Sequence, residues 1–315
     1  MNFPNKKTVI IICGPTAVGK TSVAISLAKQ FNTEIISADS RQCYKELKIG
    51  VARPSAQELK EVTHHFIASH SVTENINAAY FEQYALSKTN ELFQKHDVIV
   101  MVGGTGLYIK AFCEGLDEIP GVDMSIRNKI IADYNLKGLQ WLQNEIKIKD
   151  PVFFGVGEIQ NPQRMMRALE VVESTGRSIL DFRKNGKTKR DFNIIKIGLE
   201  LPKEELHQHI NARVDKMIID GLVEEVSLLK DYRDINALQT VGYSEMFEHL
   251  DSKISLDAAI EEIKKNTRQY AKRQVTWFKK DKEINWISAK QTQQVIAVAQ
   301  KLSMVLKTGK DENNL

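Results

Sequence analysis

The segment Gly14-Pro15-Thr16-Ala17-Val18-Gly19-Lys20-Thr21 constrains this chain more than any other part of it. It matches GxxxxGK followed by Ser or Thr, and it lies between a short apolar run, Thr8 to Cys13, and a helical pattern from Lys20 to Phe31. The motif needs that setting. A buried strand delivers a Gly-rich turn whose successive N–H groups face an anion, and the following helix adds its positive N-terminus. Lys20 contributes a point charge, and the Thr21 hydroxyl is the expected protein ligand for Mg²⁺. A polyphosphate held by residues 14 to 21 is therefore expected, but the motif does not specify a reaction.

Further along, apolar runs alternate with helical patterns. A second short strand is expected at Glu34 to Ser37, a possible third at Val62 to Ala68, a helix from about Ala78 to Gln94, and a strand at Val98 to Val102 closed by Gly103-Gly104. Such alternation predicts an α/β fold: a P-loop NTPase-like parallel sheet covered by helices. From about Pro120 to Asp191 the alternation lapses into helical and basic loop patterns, then resumes with a strand at Ile194 to Leu201. The expected organisation is a catalytic core from residues 1–119 and 192–315 interrupted by a mainly helical insertion, residues 120–191. A short strand at Trp286 to Ser288, a further helix and a polar tail from Lys307 complete the pattern.

Composition excludes several alternatives. Hydrophobic residues at 42% and charged ones at 27% are ordinary for a globular chain. Cys13, Cys43 and Cys113 form no CxxC pair, so neither a zinc site nor a disulfide framework is expected. There is no apolar run of about 18 residues, which argues against a membrane span and for the cytoplasm. Forty-four Lys and Arg against forty Asp and Glu leave +4, compatible with a polyanionic partner without requiring one.

The strand Val98 to Val102 runs into Gly103-Gly104-Thr105-Gly106 with no acidic residue at its carboxyl end, where an ordinary NTPase carries its Walker B aspartate. Asp97 precedes the strand and belongs to the wrong end of a parallel sheet. The carboxylate expected near the ligand is Asp39, just after the second strand, although Asp after a strand is more often a turn residue.

Taken in order, GPTAVGKT, DSRQCY, THHF, VGGTGLY, QRMMRALEV, RVDKMIIDGLVEEV, TVGY and RQYAKRQ resemble the tRNA dimethylallyltransferase (tRNA isopentenyltransferase) family of bacterial type, over most of the chain. The resemblance implies transfer of a dimethylallyl group from dimethylallyl diphosphate to N6 of the adenosine 3′ to the anticodon of tRNA, with pyrophosphate released. It implies Asp39 as general base, with Thr105 and Arg213 beside the pyrophosphate as further catalytic groups. The same resemblance places Ser40, Arg41, Gln42, Gly242 and Tyr243 at the flipped base and its neighbours, and Arg127 on tRNA. Val51 and Arg53 stand where Thr and Lys are commoner, and Ser69 and Asn161 where Asp is frequent; none of the four is one of the proposed catalytic groups. Rival readings are an adenylate isopentenyltransferase acting on free AMP, ADP or ATP, a small-molecule kinase, and a nucleotide-switched RNA-binding module without chemistry.

Asn161 and Pro162 read as the start of a helix that Gly176 stops. Met165, Leu169 and Val172 share one face, while Gln163, Arg164 and Arg167 share another. By resemblance the segment Gln163, Arg164, Met165, Met166 and Arg167 grips the anticodon stem-loop. The basic run Arg183, Lys184, Lys187, Lys189 and Arg190 reads as a phosphate footprint. In a helix from about Ala258 to Lys280, Ile260, Ile263, Thr267, Tyr270, Gln274 and Trp277 follow core spacing. Beside them Lys264, Arg268 and Lys272 form a stripe that either pairs with acids or faces RNA. A monomer is expected.

Overall fold

Residues 7–183 and 186–308 are described by a computed structural model; Lys184 of the basic run and the tail beyond Thr308 lie outside the described residues. The apolar runs become β1 (Thr8–Cys13), β2 (Ile35–Ser37), β3 (His64–His65), β4 (Val98–Gly103), β5 (Asn193–Glu200) and β6 (Ile284–Ser288). They form one sheet in the order β3-β2-β4-β1-β5-β6, and every pairing is parallel. In β1, Val9, Ile11 and Cys13 enter one apolar cluster while Ile10 and Ile12 enter another. Successive side chains of a strand point to opposite faces, so a strand covered on both sides must be apolar at every position. That is why these runs show no alternation.

Helices fill the connections: α1 (Lys20–Gln30), α2 (Ala56–Glu61), α3 (Ala78–Leu92), α4 (Gly106–Glu114), α5 (Met124–Lys149), α6 (Pro151–Val156), α7 (Pro162–Thr175), α8 (Lys203–Ile219), α9 (Leu222–Leu228), α10 (Tyr243–Leu250), α11 (Leu256–Phe278) and α12 (Thr292–Thr308). The expected strand at 62 to 68 shrinks to two residues. Phe66 and Ala68 take φ of 63° and 46°, and the chain turns away so that the Ala68 and Ser69 N–H groups reach the carbonyls of Gln42 and Cys43.

The chain divides into two compact units, one of Met1–Glu114 with Lys189–Leu315, the other Gly115–Thr188. The larger holds the sheet. Its central strand β1 lies between β4 and β5, with Cys13 opposite Gly103 on one side and Gly198 on the other. Ligands of open parallel sheets bind beyond the carboxyl ends of the strands where the strand order reverses, and that point falls beside β1.

The smaller unit is built on α5, α6 and α7. The Asn161 side chain accepts from the Arg164 N–H at 3.3 Å and Pro162 occupies the first helical position, so α7 starts where its spacing predicts; Gly176 ends it at φ 69°. Met165, Met166 and Leu169 pack against Ile130, Leu142 and Phe153 in a core of the unit's own. α5 is interrupted at Gly138, whose φ of 76° and ψ of −169° are not helical.

Candidate active site

The loops that follow β1, β2 and β4 come from three adjacent strands, so the phosphate loop, the Asp39 turn and the Gly103–Gly106 turn stand side by side. Gly103 permits this approach: a Cβ there would lie 2.1 Å from the Ala38 carbonyl oxygen. The Ala38 N–H donates to the Val102 carbonyl at 2.7 Å, and the Thr105 N–H donates to the Ala38 carbonyl at 3.2 Å. Thr105 Oγ1 accepts from the Ser40 N–H at 3.0 Å and lies 3.3 Å from Ser40 Oγ. The sequence pattern brings Asp39, Ser40 and Thr105 to one place, and the structure does the same.

Asp39 Oδ1 accepts from the N–H groups of Arg41 at 2.9 Å and Gln42 at 3.2 Å. That is the turn-forming role expected of an Asp after a strand, and it also fixes the carboxylate where it lines an open cavity of about 690 Å³. The same cavity is lined by Thr16, Lys20, Thr21, Arg213 and Gln274. Asp97, in contrast, lies at the amino end of β4 and pairs with Lys7. No acidic residue stands at the carboxyl end of β4, as the sequence indicates.

Lys20 Nζ donates to the carbonyls of Gly14 at 3.0 Å and Pro15 at 2.6 Å. Burial, reinforced by the positive charge of Arg213 and opposed by Asp39, pulls its pKa down to about 8. Arg213, on α8, donates to Thr16 Oγ1 at 3.2 Å, and burial pulls its pKa down as well. Two partly desolvated cations thus face one cavity, and no described carboxylate lies within ion-pair distance of either. Gln274 completes the cradle. Its Oε1 accepts from the Thr16 N–H at 2.8 Å and its Nε2 donates to the Gly104 carbonyl at 2.9 Å, tying the phosphate loop to the turn after β4.

Gln274 is a site residue that sequence spacing assigns to the core. It is buried, as expected, together with Ile263, but Tyr270 and Trp277 of the same expected stripe are 38% and 36% exposed, and Tyr270 lines the cavity. Helical spacing cannot separate a side chain that fills a core from one that lines a cavity within it. His64 likewise carries no signal of a role in the sequence. It lines the cavity with Nδ1 2.8 Å from the Val62 carbonyl, an arrangement that makes Nδ1 the protonated nitrogen, and burial lowers its pKa.

Several expected tRNA contacts are placed differently. Tyr243 is fully buried and its hydroxyl donates to Glu225 Oε1 at 2.6 Å; Gly242, also buried, donates its N–H to Glu245 Oε2 at 2.8 Å. The Tyr243 side chain is therefore engaged inside the protein. Met165 and Met166, at 0% and 6% exposure, are core residues of the smaller unit, packed in its apolar cluster. Arg190 does not add to a phosphate footprint: it caps α4 by donating to the Ala111 and Phe112 carbonyls at 2.9 and 2.7 Å, and it pairs with Glu82 at 2.7 Å. Lys264 pairs with Asp215 at 2.8 Å and with Glu261, Arg268 donates to Asn211 at 2.7 Å, and Lys272 is exposed.

Other expected contacts remain accessible. Gln163 and Arg164 are exposed on α7, and Arg164 pairs with Glu158. Arg127 and Arg167 converge on Glu170, at 3.8 and 3.1 Å, and Arg167 also donates to the Pro120 carbonyl at 3.4 Å. Glu170 is only 4% exposed, and nothing in the sequence marks it out. Arg41 reaches Asn236 at 3.4 Å, and Gln42 bonds the Val51 and Ala52 carbonyls at 3.2 and 3.0 Å.

Lys20 of the phosphate loop and Arg213 of α8 on one cavity with Asp39, and no acidic metal position at the carboxyl end of β4, define a P-loop enzyme that grips a polyphosphate-bearing substrate without the equipment of an ordinary NTPase. The chain belongs to the IPP transferase family, whose family model matches residues 42–281. It is 48% identical over 280 residues to tRNA dimethylallyltransferase 2 of Azobacteroides pseudotrichonymphae, covering 89% of this chain and 91% of that protein. It is 49% identical over 278 residues to tRNA dimethylallyltransferase of Christiangramia forsetii, covering 88% and 92%. Among solved structures it resembles a tRNA isopentenylpyrophosphate transferase of Bacillus halodurans, with 33% identity, a TM-score of 0.71 and coverage of 96% of this chain and 99% of that one. It also resembles a eukaryotic dimethylallyltransferase acting on tRNA, with 27% identity, a TM-score of 0.75 and coverage of 94% and 79%. Among the described residues no helix is long and apolar enough to cross a membrane.

Proposed function

We propose that this enzyme transfers a dimethylallyl group from dimethylallyl diphosphate to N6 of the adenosine 3′ to the anticodon of tRNA, releasing pyrophosphate. The observation that carries this reading is that a phosphate cradle, Thr16, Lys20, Arg213 and Gln274, lines one cavity together with Asp39, the carboxylate that follows β2; Glu58 and Asp220 are its other acidic lining residues. The N6–C1 bond forms as the C1–O bond to the diphosphate breaks, and the N6 proton passes to Asp39. Adenine's amino group is a weak nucleophile, so a carboxylate that takes its proton during bond formation lowers the barrier. Negative charge grows on the departing oxygen, and Lys20 and Arg213 stabilise it more in the transition state than in the ground state. Thr105, bonded to the Ser40 backbone, follows Gly103 and Gly104 of the cavity lining, and the family resemblance is what puts it on the leaving group's side.

Magnesium is consistent with this donor set. The described residues hold no cluster of three metal-binding side chains, but a P-loop site uses one hydroxyl with phosphate oxygens and water. Thr21 would hold the ion, which when bound neutralises charge on the diphosphate. The RNA side of the reading rests on Ser40, Arg41 and Gln42 beside Asp39 and on Arg127, Gln163, Arg164 and Arg167 of the smaller unit, of which the arginines would contact phosphates. The target adenine has to leave its stack, a cost of about a few kcal/mol.

Incubation of the whole chain with radiolabelled dimethylallyl diphosphate and either tRNA or AMP tests the proposal. Label in tRNA at an adenosine 3′ to the anticodon supports it. Transfer to AMP alone would assign the enzyme to free nucleotides, and retention of tRNA without transfer would leave an RNA-binding module.

A further inference from the structure

One part of the cavity lining comes from a loop, residues 44–53, whose backbone is held by two side chains of opposite charge. Glu225, on α9, accepts from three consecutive N–H groups: Lys48 at 3.1 Å, Ile49 at 2.8 Å and Gly50 at 3.0 Å. Converging backbone N–H groups of this sort form an anion-binding concavity, and here the chain's own carboxylate fills it. Arg53 does the complementary work, donating through Nη2 to the carbonyls of Tyr44 at 3.0 Å, Lys45 at 2.7 Å and Leu47. Its charge is spent on the loop, which explains how Arg is accommodated where the family more often has Lys: the guanidinium fork reaches several carbonyls at once.

Tyr243 closes the arrangement. Its hydroxyl donates to the same Glu225 carboxylate at 2.6 Å, and its ring lies against Gly50 so closely that a Cβ there would meet ring carbon Cε2 at 2.5 Å. The loop is also tied to the catalytic carboxylate. Gln42, whose N–H donates to Asp39, holds the Val51 and Ala52 carbonyls with its side chain. Ala52 is itself kept at φ 47°, in the left-handed region that a free loop would leave. Its apolar contribution to the cavity is Ile49, Val51 and Ala52, with Pro54 and Ile67 also on the lining; Lys48 and Arg53 of the loop line it as well, and the Arg53 guanidinium is engaged by the loop carbonyls.

Resting on the function proposed above, we infer that Glu225 and Tyr243 are positioning residues that fix this loop as the apolar wall for the hydrocarbon end of the allylic diphosphate, and so set how tightly and how selectively a five-carbon chain is held. The diphosphate end is gripped by other residues and is independent of the clamp. A wall held by hydrogen bonds to backbone N–H groups cannot shift outward to admit a longer chain without breaking them. Loss of the clamp therefore weakens recognition of the hydrocarbon while leaving recognition of the phosphates intact.

The test compares two ligands on the whole chain: inorganic pyrophosphate and an unreactive thiolo-diphosphate analogue of the five-carbon substrate. In Tyr243→Phe and in Glu225→Gln, pyrophosphate affinity stays within twofold of the parent, whereas the analogue binds about tenfold more weakly. Glu225→Gln, which keeps an acceptor oxygen, is less affected than Glu225→Ala. In turnover the Tyr243→Phe defect appears in KM for the diphosphate with kcat and KM for tRNA little changed, and a ten-carbon allylic diphosphate gains relative to the five-carbon one. Amide exchange at Lys48, Ile49 and Gly50 quickens in each variant. Equal weakening of pyrophosphate and analogue would make the clamp merely structural and overturn the inference, as would unchanged analogue binding. The binding and exchange measurements need no turnover, so they decide between these outcomes even if label transfer to tRNA fails.

Discussion

The phosphate site of the larger unit and the arginine cluster of the smaller one hold their cations in opposite ways. In the larger unit Lys20 and Arg213 are drawn out of water with no described carboxylate to pair with; Lys20 makes do with the carbonyls of Gly14 and Pro15, Arg213 with the Thr16 hydroxyl. In the smaller unit Arg127 and Arg167 share the buried carboxylate of Glu170, and Arg164 has Glu158. A cation deprived of water and counter-charge destabilises the free fold, and the shift of Lys20 from 10.5 to about 8 corresponds to a cost on the order of 3 kcal/mol. Because the folded pKa is the lower one, that cost is fully present below about pH 8 and fades as pH rises toward the unfolded value. The phosphate site is thus poised for an anion. On the function proposed above, Arg127, Arg164 and Arg167, which already have carboxylate partners, must exchange them to hold RNA, so their contacts should be weaker singly and more sensitive to salt.

The largest expected effect tests whether the cradle alone makes an enzyme. Asp39→Ala should fold and bind pyrophosphate normally yet lose at least about a hundredfold in single-turnover rate. Near-normal turnover would remove Asp39 from the mechanism and leave the cations as the whole site. Next, Arg213→Ala should weaken pyrophosphate binding by about tenfold or more while leaving the melting temperature of the ligand-free protein unchanged or higher, since a desolvated charge is removed. A lowered melting temperature would show that Arg213 supports the fold as the smaller unit's arginines do.

The counterpart in the smaller unit is Glu170→Ala, which removes the carboxylate shared by Arg127 and Arg167; because both arginines keep access to water, the cost is about 1 kcal/mol, to be read in denaturant unfolding. An unaltered midpoint would dissolve the contrast between the units. Arg167→Ala is milder, lowering tRNA affinity and reducing the slope of log affinity against log salt by about one. The smallest effect is a protonic one. Pyrophosphate favours charged Lys20 and raises its pKa, so binding near pH 8 should draw a fraction of a proton from the buffer, absent in Lys20→Met; calorimetry in two buffers of different ionisation enthalpy measures it. Equal proton uptake by both proteins would mean that Lys20 is already fully charged in the free site.

The frame of the fold was legible because its signals are local. Thr8–Cys13, Val98–Gly103 and the caps of α7 each announce themselves within a few residues, and the phosphate loop can sit only between a strand and a helix. Asp39 could be located from the sheet's polarity alone. Gln274, Glu225 and Glu170 could not be, since each acquires its role from a partner far along the chain or from burial that its residue type does not advertise. Tyr243 shows the same limit in reverse. A tyrosine after glycine in a turn reads alike whether its hydroxyl meets a base or, as here, a buried carboxylate. Arg190 reads as one more charge in a soluble run, and only its position over the end of α4 gives it three acceptors.

The placement of β1 bears on how the chain comes to be folded at all. Its two neighbours are β4, which begins at Val98, and β5, which begins at Asn193, on the far side of the smaller unit. During synthesis from the amino end, the central strand waits with one edge unpaired while residues Gly115–Thr188 emerge, and those residues are continuous in sequence with a core of their own. The smaller unit can therefore condense on the ribosome before the larger one is closed, and the unpaired edge of β1 is the surface most exposed to wrong partners in that interval. Slow stretches of translation would be best tolerated after Glu200, when β5 has taken its place, and most hazardous between β4 and β5.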